Sequence, residues 1–490
     1  MNRTDQTNPE ADITPTASQR MPAVSFQQLI AATGAHVASG DCLPDDGFDR
    51  VETDSRQVER GDLFWALKGE RHDGHDFVAQ AFANGAASCV VEAGRHIDHD
   101  GLLIEVGDTT AAFGQFAAWY REQMDAITIG VTGSVGKTTT RHMIHTVLSG
   151  RFSGTQSPQN FNNHFGVPLS LLGIAPDDEF AVLELAATGI GEICRLAAIA
   201  RPEIGVITRI APTHLDEFGS IDNICTAKGE LLEALPPSGF AVVNGDDDRV
   251  LSLASRAGCP VIRVGEQPHN DVIATDVVAE NEWLRFRVGH ADFSLPAVGR
   301  HHLTAALAAI AIAREIGMDD DEIAAALRLF QPVPGRCQIE RIGDWTVIDD
   351  TYNASPVSMQ AACEILGNWQ PGHNTLLVAG DMLALGDQSK HYHEQLGRTV
   401  AQSGINRLIA IGPQAANLAG TAKAHGMDAG CLGVCRDLTT LELLLDCWLE
   451  AGDVILVKGS RGMQMEQVIQ HLRTLATRRS TPTHSLRNVA

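Results

Sequence analysis

The stretch "GVTGSVGKTTT", Gly130 to Thr140, joins a glycine-rich turn to a lysine and a run of threonines. Such a turn cradles phosphate, because successive backbone N–H groups and the positive end of a following helix converge on one spot. Lys137 would place a point charge on the outer phosphates and Thr138 a hydroxyl on Mg²⁺, with Thr132, Gly133, Ser134, Gly136 and Thr139 shaping the turn. The strict G-x-x-x-x-G-K-[ST] form is missed by one residue, since Val131 stands where its first glycine belongs. Taken alone, the stretch also fits a plain strand-to-helix turn with a surface lysine. The apolar strand before it and the helical spacing after it favour the phosphate reading.

A magnesium nucleotide needs ligands from other strands as well. Glu184 closes the apolar run "AVLEL" and His214 follows "GVITRI". Both therefore fall at carboxyl ends of strands, where α/β sheets bind ligands, and together they could hold a second cation. Each has a plain reading too: a solvated strand-end glutamate and a hydrogen-bonding loop histidine. Lys228 in "TAKGELL" lies on a helical stretch, where a lone lysine is usually solvated. His391 and His393 in "KHYHEQ" read as a solvated helix start. The ten cysteines lack paired spacings and read as small buried side chains in a reducing compartment.

The elements that must position these residues fall into sections. At 490 residues the chain predicts about three domains of about 100 to 200 residues each. Residues 1–21 are polar, lack the apolar stretch of a secretory signal, and are expected to be a disordered tail. Residues 22–110 mix short strands, helices and turn-rich connections. Residues 111–331 alternate strand-like "AITIGV", "FAVLEL" and "IGVITRI" with helical stretches, the rhythm of a mainly parallel α/β sheet. A second such rhythm over 332–476 predicts a Rossmann-like unit, and 477–490 is expected to fray. No apolar run is long enough to span a bilayer. A net charge of −24 argues against nucleic-acid or anionic-membrane binding, and a cytoplasmic monomer is expected.

Read in order, "DSRQVERGDLFWALKGERHDGHDF", "TGSVGKTTT", "NFNNHFGVP", "APTHLDEFGS", "AKGELL", "PGRCQIE", "IDDTYNASPVSM", "GDMLALGDQSKHYHEQ" and "VKGSR" resemble the Mur ligase family from about residue 24 to 475. The family's T-G-x-x-G-K-T loop accommodates the Val131 mismatch. The "NFNNHFGVP" and "DDTYNASP" blocks, with "GDM" and "VKGSR", resemble its D-alanyl-D-alanine-adding branch. The resemblance implies a three-domain α/β architecture: an N-terminal UDP-sugar-binding domain, a central P-loop ATPase domain with a mainly parallel sheet, and a C-terminal Rossmann-like ligase domain that closes on the nucleotide. The implied reaction is ATP-dependent addition of D-alanyl-D-alanine to UDP-N-acetylmuramoyl-tripeptide through an acyl phosphate, in peptidoglycan precursor synthesis.

The resemblance also implies roles by position. Thr138, Glu184 and His214 look like ligands of two Mg²⁺ ions, and Lys228 falls on the family's carbamylated lysine. Asn160, Asn162 and Asn163 look like a loop facing substrate and nucleotide, and Arg336 like an arginine reaching the γ-phosphate. Asp350, Tyr352 and Asn353 resemble the part that completes the nucleotide site. Asp54, Ser55 and Arg56 fall on the UDP-sugar signature, and Lys458, Ser460 and Arg461 on the face toward the dipeptide. His302 and Ala305 replace two asparagines that help seat adenine in the family, Ala186 and Ala384 replace a glycine and an acidic residue, and Ser355 replaces an asparagine. Two other readings are carried forward: a non-catalytic nucleotide- or UDP-sugar-binding protein on the same scaffold, motivated by His302 and Ala305, and another amide ligase of the superfamily.

Overall fold

The computed structural model describes residues 20–38, 43, 47–69, 71–97, 101–280, 282–370 and 372–480. The tail expected over 1–21 lies outside them as far as residue 19, as do 481–490 and Cys42. The described residues form three sheets of five, nine and six strands, one after another in chain order. This is the α/β architecture the sequence implies.

The first sheet is parallel except where His36–Val37 runs against Leu102–Val106. Structure begins earlier than expected here: Met21 is buried and its N–H donates to Asp49 O at 2.7 Å, while Arg20 pairs with Asp49. Helix α1 (Thr109–Arg121) starts where the Asp108 carboxylate accepts from Ala111 N at 2.8 Å, a side-chain N-cap. Its Phe113 and Phe116 rings lie 5.0 and 5.7 Å from Trp65 of the first unit. Its Tyr120 hydroxyl donates to Ile174 O at 2.7 Å in the central one. The helix thus straddles the boundary drawn between 110 and 111 and joins the two cores.

In the central unit β1 (Ile127–Thr132) leads through the glycine turn into α2 (Lys137–Leu148). Strand β1 lies between β2 (Phe180–Glu184) and β3 (Ile204–Ile207), parallel to both. All three are almost wholly buried and rich in Val, Ile and Leu, as a sheet covered by helices on both faces requires. Ser220 Oγ accepts from Asn223 N to start α3 (Ile221–Glu233). At the far edge, Val272–Glu280, Trp283–Val288 and Ala291–Leu295 form an antiparallel meander that the expected rhythm did not include. Helix α4 (Leu303–Glu315) is apolar all round and is accordingly buried, against α2 and the sheet.

In the third sheet β4 (Trp345–Asp350) and β5 (Thr375–Gly380) flank β6 (Val454–Lys458), all parallel, with Gln338–Ile342 antiparallel at the edge. The last helix, Glu466–Ser480, continues through residues 477–480, which were expected to fray: Arg479 donates to Leu449 O at 3.0 Å and covers the Trp345 ring. Among the described residues no helix is long and apolar enough to cross a membrane.

Candidate active site

The glycine turn has the backbone its sequence calls for. Gly133 and Gly136 have φ of +148° and +88°, and a Cβ on Gly133 would stand 2.1 Å from Thr208 Oγ1, so a side chain is excluded there. Gly136 is the N-cap of α2 and no side chain caps the helix, leaving the N–H groups of its first turn toward the loop. Ser134 Oγ is buried beside them without a hydrogen-bond partner. An orphaned buried hydroxyl costs about 1–3 kcal/mol, and a phosphate oxygen is a partner that would relieve it. Lys137 Nζ folds back to donate to Gly133 O at 2.8 Å and Ser134 O at 3.4 Å. Burial lowers its pKa, Glu184 acts against that shift, and Arg336 adds to it.

Glu184 is not the solvated strand-end carboxylate of the plain reading. It is 2% exposed, and its two oxygens face different elements. Thr138 Oγ1 donates to Oε2 at 2.8 Å and Asn162 Nδ2 to Oε1 at 2.9 Å, while Arg141 Nη1 stands 3.8 Å from Oε2. Arg336 arrives from the third unit: its Nη2 is 3.4 Å from Thr138 Oγ1, its guanidinium lies 4.0 Å over the Tyr352 ring, and its Nε is buried without a partner. Lys137, Thr138, Glu184, Asn162 and Arg336 are thus brought together. The Thr138 and Glu184 oxygens are hard donors of the kind Mg²⁺ selects, and the orphaned Ser134 and Arg336 atoms suit phosphate oxygens.

Lys228 overturns the expectation of a solvated helical lysine. It is 3% exposed; Nζ donates to Ala187 O at 3.3 Å and lies 5.5 Å over the Phe218 ring. Burial, with the neighbouring Lys137 cation, brings its pKa down to about 7 against the pull of Glu192, Glu230 and Glu184. His214, at φ +51°, is the N-cap of the short helix Leu215–Phe218 and pairs with Glu217 at 3.3 Å. Loss of hydration lowers its pKa, and Lys137 and Lys228 push the same way. The next residue binds the third unit, Leu215 N donating to Ala384 O at 3.0 Å. Among the described residues no three His, Cys, Asp or Glu side chains converge on a metal-sized space, so Glu184 and His214 need a further anionic donor to make a second site.

Other expected residues are engaged with one another. Lys458 is buried and donates to Asp350 Oδ2 at 2.6 Å and Asn353 O at 2.8 Å, tying β6 to β4. Asn353 accepts from Ala354 N. Ser460 Oγ accepts from Leu383 N at 2.8 Å, and Arg461 pairs with Glu466 at 3.0 Å. Asn163 accepts from Phe165 N and Gly166 N at the start of a helix, and Asn160 lies in the turn before it. In the first unit Asp54 caps a short turn and pairs with the exposed Arg56, and buried Ser55 donates to Gln80. Ser355 N-caps the helix Pro356–Gly367 in a reciprocal arrangement with Ser358.

His302 and Ala305 are buried at the start of α4; His302 donates to Val298 O and burial keeps it neutral. His393, expected at a solvated helix start, is buried and accepts from Met382 N at 3.0 Å, so only His391 fits that expectation. Cys194 and Cys447 are exposed, against the expectation that the cysteines are buried. Sequence reading also passed over Arg141, although a basic residue three positions after Thr138 shares its helix face.

Three family models match successive parts of the chain: "Mur ligase family, catalytic domain" over residues 48–123, "Mur ligase middle domain" over 131–313 and "Mur ligase, glutamate ligase domain" over 335–461. The chain is 36% identical over 466 residues to the UDP-N-acetylmuramoyl-tripeptide--D-alanyl-D-alanine ligase of Escherichia coli (strain K12), covering 93% of this chain and all of that protein. A crystal structure of MurF from Acinetobacter baumannii superposes with a TM-score of 0.85 at 34% identity, over 94% of this chain and all of that one. The MurF ligase of Thermotoga maritima in complex with ADP gives a TM-score of 0.78 at 27% identity, over 88% of this chain and 98% of that one. With a phosphate-cradling turn, a buried carboxylate on its threonine and an arginine delivered from a third unit, the chain belongs to the Mur ligase family.

Proposed function

We propose that the chain is an ATP-dependent ligase that joins D-alanyl-D-alanine to UDP-N-acetylmuramoyl-tripeptide. The observation that carries this reading is the meeting of Arg336 from the third unit with Thr138 of the central one, whose hydroxyl is bonded to Glu184, so that two units contribute side chains beside the phosphate turn. The resemblance to ligases of that name over nearly the whole chain supports the choice of substrates.

In the first step a terminal carboxylate oxygen of the tripeptide attacks the γ-phosphorus of ATP, and the bond to the β-phosphate oxygen breaks. An acyl phosphate and ADP result. In the second, the dipeptide amine attacks the acyl carbon, loses a proton, and inorganic phosphate leaves. Negative charge builds on oxygen in both, so catalysis rests on charge stabilisation and in-line positioning. Lys137 would leave the loop carbonyls for the outer phosphates, and Arg336 would meet the transferred group from the opposite side. Thr138 and Glu184 would hold one Mg²⁺, and Glu184, His214 and a carbamate on Lys228 a second; the ions would supply Lewis-acid neutralisation of the phosphate oxygens. Asp54, Ser55 and Arg56 would hold the UDP-sugar, and the loop of Asn160, Asn162 and Asn163 would face the reacting ends. Asp350 and Asn353 would border the nucleotide. Lys458 acts there through its ion pair, and Ser460 and Arg461 border the dipeptide. With ATP and a nucleotide-linked sugar as its substrates, the enzyme would act in the cytoplasm. A monomer suffices, since one chain supplies the side chains from both units.

The test is phosphate release from Mg-ATP and UDP-N-acetylmuramoyl-tripeptide, with and without D-alanyl-D-alanine. Release that requires the dipeptide is expected. Nucleotide binding without release in any mixture would point to a binding protein, and release with a different amine acceptor to another ligase of the superfamily.

A further inference from the structure

The Asn-bearing loop after the edge strand Gly154–Gln156 has to cross from that strand to the carboxyl end of β2, where Asn162 reaches Glu184. It does so through a strained turn: Gln159, not a glycine, has φ +40°. What holds the turn is Arg141, one helical turn beyond Thr138 on the same face of α2. Arg141 is 4% exposed; its Nε donates to Gln156 Oε1 at 3.1 Å and its Nη1 to Gln159 O at 2.7 Å. The same Nη1 stands 3.8 Å from Glu184 Oε2, the oxygen that accepts from Thr138. Gln156 is itself fixed, donating from Nε2 to His142 Nδ1 at 3.1 Å. A ring therefore closes from Thr138 through Glu184, Asn162 and Gln159 back to Arg141. A guanidinium presents several donors in a rigid planar fork, whereas an ammonium does not.

We infer that Arg141 is a positioning residue for the ligation reaction: by gripping Gln156 and the Gln159 carbonyl beside Glu184, it sets the Asn162 loop and the Glu184 carboxylate in register with the phosphate turn. The inference rests on the ligase reading above. It assigns Arg141 no contact with the reacting atoms.

The test compares Arg141→Lys, which keeps the charge and loses the fork, with Arg141→Met and Gln156→Ala. For Arg141→Lys, kcat is expected to fall about 30- to 100-fold, because misplacement of about 1 Å costs a factor of that size. The KM for ATP and the ADP affinity by calorimetry should stay within about threefold, as the glycine turn is untouched. Amide exchange over residues 157–163 should quicken about tenfold while β1 is unchanged. Gln156→Ala should give part of the kcat loss, and Arg141→Lys combined with it no more than Arg141→Lys alone, since both remove one grip. Arg141→Lys at parental kcat, with or without a defect in Arg141→Met, would overturn the inference. So would loss of ADP affinity in step with activity, or full additivity of the two substitutions. If the Arg141 variants do not fold, Gln156→Ala still decides it by exchange and kcat. Failure of the unaltered enzyme to release phosphate would defeat the ligase reading instead, leaving exchange and ADP affinity to judge Arg141.

Discussion

Lys137→Met is expected to slow dipeptide-dependent phosphate release by about 10³-fold, the scale of losing one preorganised charge-stabilising group in a dry site. The lysine is already beside the turn it would serve, bonded to Gly133 O and Ser134 O. Transfer to a phosphate exchanges two neutral acceptors for an anionic one at little cost in reorganisation. Burial, which lowers its pKa, also strengthens any charge pair it forms there, because the local dielectric is low. Methionine keeps the length and the apolar stem, so α2 and the turn should persist. ADP affinity should fall by about tenfold, since the backbone N–H groups of the turn remain. Single-turnover phosphate release and calorimetry check this. A Met variant with more than about a tenth of the parental rate would mean that the turn alone carries the phosphate, and that Lys137 serves only to close the loop over its own carbonyls.

The parts of this molecule legible in its sequence are those fixed by local chemistry. The glycines of the turn, the β-branched strands beside it and the capping residues of α1 and α3 each answer to a backbone need a few residues away. Lys228 shows what is not legible. On its own helix it looks like a surface lysine, and only the packing of Phe218 and the Ala187 segment across α3 takes it out of water. Glu184 was placed at a strand end by its neighbours in sequence, but its partners Thr138, Asn162 and Arg141 come from segments 22 to 46 residues away. His393 and Arg141 were missed for the same reason. A histidine that accepts from a loop N–H, or an arginine that holds a loop carbonyl, leaves no periodic mark. Helix α1 runs across the boundary expected at residue 110 because it faces two cores at once, aromatic on Trp65 and bonded through Tyr120 to Ile174.

The net charge adds a constraint that local motifs do not show. In a chain of charge −24, Lys137, Arg141 and Arg336 gather around Glu184; Glu184 favours the charged forms of Lys137 and Arg141, and Arg336 opposes them. That local excess of positive charge is what an ATP γ-phosphate would meet. Its third member comes from across a domain junction that is also closed by Leu215 N on Ala384 O. Arg336 therefore reaches the Thr138 hydroxyl from a third unit that the Leu215–Ala384 bond holds against the central one.

Lys228→Met is expected to lower kcat by at least about 10²-fold while stabilising the fold near neutral pH, and the two effects have one cause. The gap between 10.5 and the folded value of about 7 corresponds to about 5 kcal/mol by which the fold disfavours the charged amine. Because the folded pKa is depressed, the unfolded chain binds more protons between those two values. Stability of the parent relative to the variant therefore falls as pH drops from 10.5 to about 7, and is flat below. In CO₂-free buffer the denaturation midpoint of Lys228→Met should exceed that of the parent at pH 7, less the cost of imperfect packing, and the advantage should vanish toward pH 10.5. The same depressed pKa leaves much of the amine neutral at physiological pH. A neutral amine can add to CO₂, forming a C–N bond and releasing a proton, and the product is an anion facing His214 and Glu184 in place of a cation. Added bicarbonate should accordingly raise both the activity and the midpoint of the parent, more so with Mg²⁺, and leave Lys228→Met unmoved. A parent indifferent to bicarbonate, with kcat matched by the Met variant, would return Lys228 to a packing role and leave His214 to its pair with Glu217.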